Sequence, residues 1–251
     1  MPDLPEPFLT RPIAHRGLHG GGLVENSLSA IDAAIAGDYG IEIDIQESAD
    51  GVAMVFHDDT LERLTVAEGP VRAQTAEALG KLTLGGTTDH IPRLSEVLTR
   101  VAGRVPLLIE IKDQSLTLGA LSGSLEAAVA RELAGYSGPV AVMSFNPGSM
   151  AHMARLAPQV PRGLVTCDFA PDDWDGVPQA RLQDLKTIPD VAKVGASFIS
   201  HDWADLDRPR VQDLRDQGLT ILCWTIRNAD QERQVRAVAA NITFEGYTPT
   251  A

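Results

Sequence analysis

Short β-branched runs alternate with Ala- and Leu-rich amphipathic stretches almost to the end of the chain. Apolar runs bounded by Gly, Pro and polar residues predict strands at Pro12–His15, Ile41–Gln46, Val52–His57, Leu107–Ile111, Val140–Phe145, Arg162–Thr166, Ala196–Ser200 and Thr220–Ile226. Apolar positions three and four apart predict helices at Ser27–Ala36, Thr75–Gly80, Leu94–Val101, Gly123–Ala134, Pro147–Leu156, Gln179–Leu185, Arg208–Gln217 and Ala229–Ala239. Asn26, Asn146 with Pro147, and Asn228 stand where helices should open. Gly135, Gly138 and Gly218 stand where they should stop.

Strand–helix alternation at this spacing implies parallel β with right-handed crossovers. Open doubly wound sheets obey the same rule. The first strand, however, is not followed by a Gly-rich nucleotide loop, and eight strands suit closure. The expected fold is therefore a single (β/α)8 TIM-like barrel using residues 1–251 as one domain. One link breaks the alternation. Only Glu47-Ser48-Ala49-Asp50-Gly51 separates Ile41–Gln46 from Val52–His57, so a short turn replaces the helix between strands 2 and 3. A reversal at Asp50-Gly51 puts position 57 roughly opposite position 44. The Thr- and Gly-rich stretch Asp58–Ile91 should be a long excursion over one rim, packed by short helices.

Composition narrows the partners. Apolar residues make up 44 % and aromatics only 5 %, so the core must be built from Ala, Val, Leu and Ile, which suits parallel strands under helices. With 21 basic and 34 acidic side chains the net charge is −13, which disfavours nucleic acid. A phosphate-bearing small molecule needs only local positive charge, from a metal and a few basic groups. Cys167 and Cys223 have no CxxC neighbour and should be two isolated buried thiols. Met1–Thr10 lacks a basic, apolar, cleavable pattern, and no apolar run is long enough to cross a membrane. A cytoplasmic protein without stable membrane insertion is expected.

The candidate chemistry lies at strand ends. His15-Arg16-Gly17 follows the first strand, at the end where such barrels carry their active sites, although the tripeptide alone is a weak signal. Glu42 and Asp44 are two apart in a strand and so share a face, with Ile43 on the other. Two carboxylates buried together call for a cation; an exposed pair would not, but the surrounding isoleucines argue for burial. Glu110 and Lys112 repeat the spacing. That motif alone fits either a buried ion pair or a third metal carboxylate beside a phosphate-contacting lysine. His57 ends the strand that returns from the turn. It is either a structural histidine bonded to Asp58 or Asp59, or the second imidazole that acid–base cleavage of a phosphodiester requires. Taken jointly, the strand ends point to one divalent ion. With that ion, Arg16 and Lys112, the three carboxylates leave a charge of about +1, suited to one phosphodiester anion, and all-oxygen ligation suits Mg2+ or Ca2+ rather than zinc.

These residues resemble the glycerophosphodiester phosphodiesterase family. The likeness runs through Ile13-Ala14-His15-Arg16-Gly17, Glu25-Asn26-Ser27, Gly40 to Gln46, Asp50-Gly51-Val52, Val55-Phe56-His57-Asp58, Ile91-Pro92-Arg93-Leu94 and Leu108 to Lys112. It continues more weakly at Ser144-Phe145-Asn146-Pro147 and Cys223-Trp224-Thr225. The resemblance implies a barrel that hydrolyses glycerophosphodiesters to glycerol 3-phosphate and an alcohol. It implies Glu42, Asp44 and Glu110 on the metal, His15 and His57 as the acid–base pair, and Arg16 and Lys112 on the phosphate. Phe145 and Trp224 look like the wall around the glycerol or alcohol moiety, although Trp224 also suits a core aromatic. The family's Thr-Asp turn before a proline is replaced by Thr243-Phe244-Glu245, which puts in doubt any contact of the missing aspartate.

Two further motifs are set aside. His19-Gly20-Gly21-Gly22 lacks the GxSxG nucleophile elbow that an oxyanion loop would serve, and is expected to be a loop over the site mouth. His201-Asp202 should be a rim histidine bonded to its neighbour. The competing readings are a lysophospholipase D-like phosphodiesterase on lipid substrates and a barrel that binds phosphorylated ligands without cleaving them.

Overall fold

The computed structural model describes residues 2–250. Its strands are β1 (Ile13–Ala14), β2 (Gly40–Glu47), β3 (Ala53–Val55), β4 (Leu107–Ile111), β5 (Val140–Ser144), β6 (Arg162–Thr166), β7 (Phe198–Asp202), β8 (Thr220–Ile226) and β9 (Asn241–Phe244). All pair in parallel around a closed ring except β3, which pairs antiparallel with β2. The expected barrel is present, but its eighth member is β9, a strand absent from the sequence expectation. β9 closes the ring by pairing Thr243 with Ile13 and Phe244 with Ala14. The run around Val52–His57 lies outside the ring. It takes the edge of β2 beyond the end of β1, pairing Val55 with Ile45 and Ala53 with Glu47. The turn at Asp50-Gly51 falls where it was expected, and Gly51 adopts φ +73°, which suits glycine. Asp44 O accepts from Phe56 N at 3.0 Å, so His57 lies one residue past the position opposite Asp44.

Alternation along the strands sorts two cores. Ile41, Ile43, Ile45, Leu107, Ile109 and Ile111 face outward into the layer beneath the helices. Among those helices are Leu94–Val101, Ser124–Leu133 and Pro147–Leu156. Inside the ring, Ile13, Leu108, Met143, Val165, Phe198 and Leu222 form a second cluster, joined by Leu4 and Phe8 from the N-terminal segment. Asn241 Nδ2 ties that segment down by donating to the carbonyls of Phe8 and Arg11 at 2.8 and 2.6 Å. Gly163 makes room for Phe198, since a Cβ at that position would lie 2.3 Å from the ring. The excursion after β3 carries its own small core, in which Met54, Phe56, Leu61, Leu79, Leu84 and Ile91 are buried.

Cys167 and Cys223 are both buried and free, and burial pushes each thiol up to about 12. Among the described residues no helix is long and apolar enough to cross a membrane. His201 is fully buried rather than on the rim. Its Nδ1 bonds Thr166 Oγ1 at 2.7 Å and its Nε2 lies 3.4 Å from Asp205, so its partners are not Asp202.

Two stability outcomes follow. Gly163→Ala should lower the unfolding free energy by about 1–3 kcal/mol in denaturant titration, because Phe198 has no free volume to yield. Glu232 is buried and accepts hydrogen bonds from Arg236, Tyr247 and Thr250. Burial pushes its carboxyl up, but these bonds outweigh it and leave the carboxyl below its ordinary 4.5. The folded value is depressed, so the contribution is full above pH 4.5 and fades as the pH falls through the folded value. Glu232→Gln should therefore cost about 1–3 kcal/mol at neutral pH, with a difference from wild type that shrinks in acid.

Candidate functional site

The parity that sends Ile41, Ile43 and Ile45 outward turns Glu42 and Asp44 into the ring, and β4 does the same for Glu110. Asp44 and Glu110 are register partners on neighbouring strands. Oxygens of the three carboxylates lie within 4.8 Å of one another, and all three side chains are buried. Lys112 Nζ bridges Asp44 Oδ1 at 2.9 Å and Glu110 Oε1 at 2.8 Å. Asp44 is further held by Asn26, whose Nδ2 donates to Oδ2 at 2.9 Å while its Oδ1 accepts from Asp44 N at 3.2 Å. Asn26 is thus a brace for Asp44, and the neighbouring Ser27 is the cap of the helix Leu28–Ala36, accepting from Ala30 N.

The three carboxylates differ in support. Burial alone would push Asp44 up, but Lys112, His57 and Arg16 hold it well below the usual carboxylate range. Glu42 accepts only the Arg16 backbone N–H, at 2.9 Å, and has no cationic side chain within ion-pair distance among the described residues. Burial, followed by repulsion from Asp44 and Glu110, pushes its carboxyl well above the ordinary value. A buried acid that the protein does not neutralise, beside two more hard oxygen donors, fits a divalent cation. Lys112 is raised despite burial, by Asp44 and Glu110, so it stays charged.

Around this centre stand the imidazoles. His15 follows β1, and its Nδ1 lies 2.6 Å from Glu245 Oε2. His57 follows β3, its carbonyl accepts from Gln46 Nε2 at 3.2 Å, and its Nδ1 lies 2.7 Å from Asp58 Oδ1. Arg63 pairs with Asp58 at 2.6 Å and with Glu25 at 2.7 Å, and Glu25 in turn holds Arg16 at 2.7 Å. The sequence-based charge count omitted these carboxylates; with Glu25 on its guanidinium, Arg16 is less free to meet an anion than that count assumed. Glu25 is drawn down to about 2 against its burial by the bond from Arg63, followed by Arg16.

One cavity of about 160 Å³ at the C-terminal mouth of the barrel is lined by His15, Arg16, Glu42, Asp44, His57, Glu110, Lys112, Phe145 and Trp224, every site residue expected from sequence. A larger cavity of about 770 Å³ shares His57, Glu110, Lys112 and Phe145 with it and opens past Trp174. Phe145 stands edge-on to Trp174 and Trp224, with centroids 5.0 and 5.7 Å away. Trp224 is both wall and core: it lines the smaller cavity, packs on the inner cluster, and donates Nε1–H to Ser200 O at 3.0 Å. The loop after His19 has open space at Gly20, Gly21 and Gly22, and His19 lies 3.4 Å from Glu245.

Sequence reasoning named Asp58 as a possible partner of His57 and left open whether Glu245 replaces the family's aspartate, and it missed Arg63, Arg227 and Trp174 as members of this neighbourhood. Asp58 directly follows a recognised strand, a positional signal, whereas Glu245 follows β9, which the sequence did not announce. Arg63, Arg227 and Trp174 are lone residues in irregular segments with no such signal.

A family-level match to the Glycerophosphoryl diester phosphodiesterase family covers residues 15–243. The glycerophosphodiester phosphodiesterase of Caldanaerobacter subterraneus is 27% identical over 237 residues, covering 91% of this chain and 90% of that one. Its counterpart from Bacillus altitudinis is 32% identical over 196 residues, covering 72% and 73%. Among solved structures, an Oleispira antarctica phosphodiesterase has a TM-score of 0.77 at 24% identity, covering 95% of this chain and 93% of that one, a likeness of fold. Glycerophosphodiester phosphodiesterase from Agrobacterium tumefaciens superposes with a TM-score of 0.69 at 27% identity, covering 94% and 96%. Matched along nearly its whole length and folded as the same barrel, the chain belongs to the glycerophosphoryl diester phosphodiesterase family and is a phosphoric diester hydrolase.

Proposed function

We propose that this chain hydrolyses glycerophosphodiesters to glycerol 3-phosphate and an alcohol. In this reading Glu42, Asp44 and Glu110 hold one divalent cation, Mg2+ or Ca2+, and His15 and His57 exchange protons with the reacting oxygens. The observation that carries it is the single small cavity onto which both imidazoles, all three carboxylates, Arg16 and Lys112 open. The Oleispira antarctica phosphodiesterase of similar fold is known in complex with the product sn-glycerol-3-phosphate, which is the product assigned here.

When bound, the cation supplies Lewis-acid polarisation of a phosphoryl oxygen and charge neutralisation. The chain's own groups do the rest. Lys112, charged and anchored by two carboxylates, presents positive charge to a phosphodiester anion at the cavity floor. Ionised Asp58 can only accept a hydrogen bond, so His57 carries its proton on Nδ1 and works through Nε2. One imidazole takes the proton of the attacking oxygen, and the other returns one to the departing alcohol oxygen, whose bond to phosphorus breaks. Phe145 and Trp224 form the apolar wall against the organic moieties. The described residues act as one catalytic unit, on small soluble phosphodiesters rather than nucleic acid, in keeping with the net charge of −13. Two free buried thiols suit a reducing, cytoplasmic setting.

Three outcomes test the reading. Glycerol 3-phosphate released from glycerophosphocholine or glycerophosphoethanolamine should fall to background after exhaustive chelation and return with added Mg2+ or Ca2+; turnover that survives chelation removes the cation from the account. Acylated, lipid-like substrates should turn over more slowly than deacylated ones. His15→Ala and His57→Ala, each checked for folding by circular dichroism, should lower kcat by about 10²–10⁴-fold; a variant with full kcat would strike that histidine from the mechanism.

A further inference from the structure

Glu245 lies just beyond residues 15–243, the span that the family match covers. It follows β9, the strand that closes the ring. Its backbone N–H donates to Ile226 O at 3.0 Å, while the preceding Phe244 O accepts from His15 N at 2.9 Å. Those two bonds set the ends of β8, β9 and β1 side by side and bring the Glu245 carboxylate against the His15 ring. Oε2 then meets His15 Nδ1 at 2.6 Å, and Oε1 meets Arg227 Nε at 2.7 Å. Both oxygens are engaged, so the carboxylate cannot turn away from the imidazole without giving up an ion pair.

We propose that Glu245, clamped by Arg227, is a positioning residue for His15: it fixes the ring so that Nδ1 bears the hydrogen and Nε2 is left as the working nitrogen. The proposal rests on the proton-transfer role assigned to His15 above. An ionised carboxylate only accepts hydrogen bonds, which decides the tautomer. The bond from His15, followed by the approach of His19, holds the Glu245 carboxyl well below its ordinary range despite burial, so it is ionised at any working pH. A buried imidazole without such a partner has two tautomers and a free ring rotation available, and only one arrangement serves proton transfer.

The other imidazole is built the same way. His57 Nδ1 faces Asp58, and Asp58 is clamped by Arg63 at 2.6 and 2.9 Å. The two imidazole–carboxylate–arginine chains come from opposite sides of the site, one from the closing seam and one from the arm outside the ring. Repetition of the arrangement on unrelated elements argues that it serves the rings rather than local folding. His19 Nε2, 3.4 Å from the same Oε2, is too far to displace His15 but near enough to share the carboxylate's charge.

The test is a double-mutant cycle on the full chain with saturating Mg2+ or Ca2+. Glu245→Ala should lower kcat by about 10- to 100-fold, the scale for carboxylates that orient a histidine, with little change in KM. Glu245→Asp, which keeps the charge, should retain more activity than Glu245→Ala. In the His15→Ala background, Glu245→Ala should cost nothing further. Nitrogen-15 spectra, with the His15 signal assigned by its loss in His15→Ala, should show the His15 ring protonated at Nδ1 in the wild type and a mixed tautomer of that ring alone after Glu245→Gln, which preserves volume if the alanine variant folds poorly. Full kcat in Glu245→Ala, or losses that multiply in the double variant, would overturn the proposal while leaving the role of His15 intact. An active His15→Ala enzyme would overturn the proton-transfer reading, and the proposal with it.

Discussion

Three carboxylates taken out of water within 4.8 Å of one another make the demand that shapes this barrel mouth. Like charges at that range and depth repel by several kcal/mol unless opposed. The fold meets part of the demand with Lys112 and Arg16 and leaves Glu42 unmet. That residue of uncompensated acid is what a divalent cation would fit. The same electrostatics explain why the surrounding pairs come in chains. Each basic group drawn toward the centre needs a carboxylate behind it, which produces the series Arg16, Glu25, Arg63, Asp58, His57 on one side and His15, Glu245, Arg227 on the other.

Much of the fold could be read from periodicity because its helices are ordinary ones. The expected ranges Leu94–Val101, Pro147–Leu156 and Gln179–Leu185 coincide with the observed helices. What escaped was β9, a strand of 4 residues in which Asn241 and Thr243 interrupt the apolar signal. Those polar residues face the inside of the ring, and no local pattern announces a strand so short. Counting Val52–His57 as a member of the ring concealed the omission. Pairing geometry decides membership, and the short link from Glu47 already implied an antiparallel partner.

The candidate centre was legible for a related reason. Glu42, Asp44 and Glu110 stand at alternate positions in apolar strands, where parity alone says which side they face. His15 and His57 stand at strand ends. The partners that orient them were not legible, because Arg63 and Arg227 reach the site through irregular chain and only the closed ring brings Glu245 beside His15. Periodic elements disclose what they present; tertiary closure determines what stands behind it.

β1 is only 2 residues long, and its brevity leaves the upper edge of β2 open for a hairpin arm that rests on a hydrophobic nucleus of its own. One imidazole is therefore carried by the ring and the other by an appendage to it. The three buried carboxylates and His15 share the fate of the barrel, whereas His57 depends on a smaller, separately sustained unit. Such a division lets the arm be lengthened, trimmed or remodelled through descent, altering the surroundings of the second imidazole with the carboxylate cluster left untouched.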